Sequence, residues 1–111
     1  MTLSVLPPAL EAFGAYKQFI LWKLDGGVKK PVHPLTGIVT DAHNPATWVS
    51  FSHAAAAAKA LGYGVAFVFS DSCPQWFIDI DKCLTPDGWS ATAQAVCAKF
   101  PGAAVEVSQS G

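Results

Sequence analysis

No apolar run in this sequence approaches the ~20 residues that a membrane-spanning helix needs. The N-terminal Met1-Thr2-Leu3-Ser4-Val5-Leu6 is also interrupted by Pro7-Pro8. Neither a signal peptide nor a membrane partner is therefore expected, and the chain reads as soluble. Cysteine is sparse: three residues, an odd number with no signal peptide ahead of them, argue against a secreted disulfide scaffold and for a reducing, cytoplasmic setting. Charge is scarce too. Only 14% of residues are charged and the net charge is −1, which gives no field able to hold nucleic acid by phosphate neutralisation alone. A role on nucleic acid must come from a local feature. There is no internal repeat and no linker.

What is present is apolar: 51% of 111 residues are hydrophobic. A domain of this size removes roughly two-thirds of its unfolded surface from water, so it can fold without staples. Residues 1–15 read as a lead-in with a short helix at best. Tyr16 to Leu24 is rich in aromatic and branched residues and stops at Asp25-Gly26-Gly27, the pattern of a strand and turn. Gly27 to Val32 reads as a returning strand, closed by the turn Pro34-Leu35-Thr36-Gly37.

Asn44-Pro45-Ala46-Thr47-Trp48 leads into a helix with Ser50 as N-cap. Phe51, Ala54, Ala55, Ala58 and Leu61 make one apolar stripe, and Gly62 ends it. The runs Gly64–Phe69 and Gln75–Asp81 flank the turn-like Asp71-Ser72-Cys73-Pro74 and predict adjacent antiparallel strands inside a sheet. After a loop at Leu84–Gly88, the spacing of Ala93, Val96, Cys97 and Phe100 predicts a second helix from about Ser90 to Phe100, stopped by Pro101-Gly102. Ala103 to Ser108 reads as a last strand. The predicted class is α/β in the mixed α+β sense: a mixed, largely antiparallel sheet with two main helices, in one domain over residues 1–111.

The chemistry concentrates at Asp79-Ile80-Asp81. In a strand, side chains alternate, so Phe77, Asp79 and Asp81 share one face while Trp76, Ile78 and Ile80 share the other. The two carboxylates then stand roughly 6.5–7 Å apart at Cα. Like charges on a buried apolar strand cost several kcal/mol unless a proton or a cation compensates them. Hard oxygen donors in an i, i+2 pair suit Mg²⁺ or Mn²⁺, together with a triphosphate. The bland alternative places both residues exposed at a strand end, capping the next loop.

Three stretches in order resemble a known family: Leu61-Gly62-Tyr63-Gly64-Val65-Ala66-Phe67-Val68-Phe69, then Phe77-Ile78-Asp79-Ile80-Asp81-Lys82-Cys83, then Val105-Glu106-Val107-Ser108-Gln109-Ser110-Gly111. They are similar to the catalytic region of phage and plasmid primase-polymerases of the archaeo-eukaryotic primase superfamily. The segment at Trp22, the turn Lys30-Pro31-Val32-His33-Pro34 and Asn44–Trp48 resemble that family's start. The resemblance implies that Asp79 and Asp81 are the metal-binding, catalytic carboxylates. It also implies that Ser110 and Gly111 open a Ser-Gly-x-Gly-x-His motif for the nucleotide's phosphates, and that Lys29 and Lys30 touch triphosphate or template, the alternative for this adjacent pair being a solvated turn.

The remainder of that motif and the family's third acidic motif do not occur in this sequence, so the expectation is a C-terminally truncated, partial catalytic fold, inactive alone and with exposed apolar surface. In the intact family, the implied substrates are NTP or dNTP and a single-stranded or primed DNA template, in replication of a phage, plasmid or other mobile element, with a possible helicase region downstream. The competing reading is a catalytically inert remnant or binding domain that keeps the early half of the fold.

Other clusters carry less. His33, His43, His53, Cys73, Cys83 and Cys97 lack C-x₂₋₄-C or H-x₃₋₅-H spacing, which argues against structural zinc. Cys97 reads as core, Cys83 as a small packing residue and His53 as first-turn helix surface. Gly62-Tyr63-Gly64 reads as a turn rather than a phosphate cradle. Glu106 shares parity with Ser108 and Ser110.

Overall fold

The structure is a computed structural model and describes residues 5–105. The chain divides into two compact units, Met1–Gln75 and Trp76–Gly111. Both mix helix with antiparallel strand, in accord with the mixed α/β class.

The first unit is built on a hairpin. Strand β1 (Phe19–Asp25) pairs antiparallel with β2 (Val28–Val32), from Leu21 opposite Val32 to Asp25 opposite Val28. Only two residues, Gly26 and Gly27, connect them, with φ of 60° and 80°. Positive φ at both positions is the I′ form of the two-residue turn, which follows strand twist and which glycine adopts most freely. This turn locks the register of every pair above it.

A 3-10 helix spans Pro45–Thr47, capped by Asn44, whose Oδ1 accepts from the Ala46 amide at 3.1 Å. Helix α1 (Phe51–Leu61) follows, with the Ser50 hydroxyl accepting from the His53 amide at 3.3 Å and Gly62 at φ 73° closing it. Both ends match the sequence signals. The helix buries Ala54, Ala55 and Ala58, of which Ala54 and Ala58 share a cluster with Phe19, Leu21 and Val32. Small side chains at those positions let the helix lie close on the sheet, and Leu21 and Val32 are wholly buried. Burying such a side chain stabilises the fold by about 1.5–3 kcal/mol.

Strand β3 (Gly64–Phe67) pairs antiparallel with the other edge of β1, giving the order β2-β1-β3. Phe67 meets Phe13 from a 3-10 helix over Pro8–Ala15, ring centroids 4.6 Å apart and stacked. The lead-in thus contributes an aromatic wall as well as a short helix.

The predicted pairing of Gly64–Phe69 with Gln75–Asp81 is not formed. β3 ends at Phe67, and residues 75–80 adopt no strand. Beyond Phe67 the chain is held by Gln18: the Val68 amide donates to the Gln18 carbonyl at 2.7 Å, and Gln18 Nε2 donates to the Val68 carbonyl at 2.8 Å and the Ser70 hydroxyl at 3.1 Å. Those bonds carry the β1 side of the strand one residue further, while the other edge of β3 pairs with no strand among the described residues. An apolar run keeps strand pairing only where a neighbouring edge takes its amides and carbonyls.

In the second unit, the predicted loop at 84–88 is a small hairpin of β4 (Leu84–Thr85) and β5 (Gly88–Trp89). The Thr85 hydroxyl donates to the Gly88 carbonyl at 2.8 Å, closing the Pro86-Asp87 turn from within. Helix α2 (Ala91–Ala98) starts at Ser90, whose hydroxyl accepts from the Ala93 amide at 3.2 Å.

α2 is shorter than its predicted stripe. Ala93 is buried, Val96 half-buried, and Cys97 exposed rather than in a core. The last turn tightens, with the Phe100 amide donating to the Cys97 carbonyl at 3.1 Å. Phe100 leaves the helix and meets Trp76 edge-on at 5.5 Å. Ala103–Val105 form no strand, and the rest of that predicted strand lies outside the described residues. No helix among the described residues is long and apolar enough to cross a membrane.

Candidate functional site

Asp79 and Asp81 lie in the second unit, on the stretch that leads into the β4–β5 hairpin. Asp81 begins a turn, and the next residue, Lys82, has φ 52°, a left-handed conformation that is costly for a side chain with a Cβ. Both carboxylates are exposed, and so are Trp76, Phe77 and Ile78 before them. The burial that would force a proton or a cation onto the pair is absent. Water solvates both groups, and the strand expected to set them on one face is not formed.

What remains is the donor chemistry. Two carboxylates offer hard oxygen lone pairs, and among the described residues no hydrogen bond or ion pair engages either of them. No cluster of three or more His, Cys, Asp or Glu able to hold a metal forms among the described residues. The pair fits the way Mg²⁺ is commonly held, by one or two carboxylates completed by water and phosphate oxygens.

Lys30 lies in the first unit, on β2. Its Nζ pairs with Asp25 Oδ2 at 2.9 Å across the hairpin. That hydrogen bond, and then the positive charge behind it, holds the Asp25 carboxyl below the usual carboxylate range. Ser110, Gly111 and Glu106 lie outside the described residues. His53 is exposed on the first turn of α1, and Cys83 is half-buried.

No protein-family model matches the chain. It is similar to a phage primase-polymerase. The match is 33% identity over 78 residues with the DNA primase-polymerase of Nitratiruptor phage NrS-1, covering 69% of this chain. The chain spans only 11% of that protein's length. This likeness supports a relationship to phage primase-polymerases and carries no residue assignment of its own.

Two features escaped the sequence reading. One is Gln18, a buried amide whose bonds reach residues 50 and 52 positions away, a separation no local pattern reveals. The other is Trp22 with Lys29, whose Nζ lies 4.4 Å from the indole centroid. That pair was accessible: the Gly26-Gly27 turn fixes Trp22 opposite Pro31, which sets Lys29 on the diagonal.

Proposed function

We propose that this chain is a segment of a metal-dependent DNA primase-polymerase, in which Asp79 and Asp81 hold Mg²⁺ or Mn²⁺ and Ser110, Gly111 and Lys30 contact the nucleotide. The observation that carries this reading is the Asp79-Ile80-Asp81 motif within a chain similar to a phage DNA primase-polymerase over 78 residues. The exposure of both carboxylates agrees with a site open to phosphate oxygens. A bound divalent ion would supply charge neutralisation for a triphosphate and for the attacking hydroxyl. The chain's own part is to present the two carboxylates at a fixed turn. The implied substrates are NTP or dNTP and a DNA template, and the implied setting is replication of a phage or another mobile element.

Calorimetric titration of the chain with Mn²⁺ and Mg²⁺, with and without a dNTP, tests the reading against Asp79→Asn and Asp81→Asn. The expected result is weak binding, strengthened by the dNTP and lowered at least tenfold in either variant. Equal affinities in all three proteins would overturn the assignment and leave the inert binding domain as the better reading.

A further inference from the structure

The hairpin runs past the sheet that carries it. The β1–β3 ladder ends at Trp22 opposite Gly64, while the β1–β2 ladder continues through Lys23 opposite Lys30, Leu24 opposite Lys29 and Asp25 opposite Val28. Residues 23–30 therefore form a two-stranded arm beyond β3, and Leu24 to Lys29 are all exposed. The arm carries three lysines and one aspartate in a chain whose net charge is −1. Asp25 engages Lys30 at 2.9 Å and also feels the charge of Lys23, and Lys23 lies over the Tyr63 ring at 5.8 Å, which leaves Lys29 without an acidic partner among the described residues.

The two faces of the arm differ. Lys23 and Lys30 project on the side of Leu21 and Val32, where α1 packs. Trp22, Leu24 and Lys29 project on the other. The Trp22 indole lies tight against Gly64, where an added Cβ would fall 2.3 Å from the ring. The close fit fixes the ring before any ligand arrives. The Lys29 ammonium lies over the ring, 4.4 Å from the centroid.

A rigid, half-exposed aromatic ring beside a mobile cation matches the repeating unit of an unpaired nucleic-acid strand, a flat base next to a phosphate. We propose that the Trp22, Leu24 and Lys29 face of the arm docks single-stranded nucleic acid, with one base on the indole and Lys29 displaced onto the adjoining phosphate. The choice of a nucleic-acid occupant over another polyanion rests on the primase-polymerase reading above; the surface itself does not involve Asp79 or Asp81.

The test is fluorescence anisotropy of a labelled thymidine oligonucleotide with the whole chain in EDTA, so that no metal contributes. Trp22→Leu should weaken binding about tenfold or more, with Trp22→Phe between it and the parent. Lys29→Ala should weaken binding several-fold and reduce the salt dependence by about 0.7 in the log–log slope. Lys23→Ala, on the opposite face, should weaken it less. Circular dichroism and thermal melting confirm that each variant is folded. Equal losses for Lys23→Ala and Lys29→Ala, or equal affinity for a duplex of the same length, would overturn the proposal. Because EDTA removes any divalent ion from this measurement, failure of this surface and failure of the metal assignment, which is read by Mn²⁺ titration, are separate results.

Discussion

The two units use the same local devices and differ in what stands behind them. Helix α1 and helix α2 both begin at a serine whose hydroxyl accepts from the amide three residues on, and each unit has a hairpin with a two-residue turn. In the first unit those devices frame a core. Phe19, Ile20, Leu21, Val32, Ala54, Ala55, Ala58 and Val68 are buried there, whereas Ala93 is the buried apolar residue of the second among those described. Caps and turns start elements, but the stability of an amphipathic element comes from burying its apolar face. In the second unit Trp76, Phe77 and Ile78 stay exposed.

The sharpest way to break this comparison is to remove apolar side chains from both units. Leu21→Ala should lower unfolding stability by about 2–5 kcal/mol in urea titration, because its site is wholly enclosed. Ile78→Ala should change it by less than about 0.5 kcal/mol. Similar losses would mean that the second unit has a core of its own.

A smaller effect separates the two caps. Ser50→Ala should cost about 1 kcal/mol of global stability, since α1 lies on the core. Ser90→Ala should instead lower amide exchange protection within α2 while leaving the urea midpoint of the first unit unchanged. Equal shifts in that midpoint would show that α2 unfolds together with the core.

The smallest effect concerns charge. The Asp25 carboxyl titrates below its ordinary value because Lys30 donates to it, so the pair favours the folded state above the ordinary carboxylate range. That contribution is lost as pH falls through the lowered value. Both groups are largely exposed, and solvent screening keeps it slight. In Lys30→Ala the Asp25 carboxyl should titrate higher, back in the usual range, by carbon NMR. An unchanged titration would show that the ion pair is not held in solution.

Legibility followed the same division. Ser50, the alanine stripe and Gly62 delimit α1 by local signals, and the Gly26-Gly27 turn sets the hairpin register, so both could be read from the sequence. The order β2-β1-β3 was not readable, because the partner of β3 lies more than forty residues earlier. At the candidate site, Asp79 and Asp81 were found by residue type and spacing. Their exposure was one of two readings the sequence left open, since an apolar run such as Trp76-Phe77-Ile78 reads as a buried strand whether or not an edge is available to it. Lys29 beside Trp22 could have been found by following the hairpin diagonal.

The position of β1 between β2 and β3 has a consequence for synthesis. The hairpin partner of β1 leaves the ribosome almost with it, but Phe67 follows Trp22 by 45 residues, which at ordinary elongation speeds is roughly 2–9 s. During that interval one edge of a strand carrying Phe19, Ile20, Leu21 and Trp22 stands open. An open apolar edge of this kind is what nascent-chain chaperones and aggregation compete for.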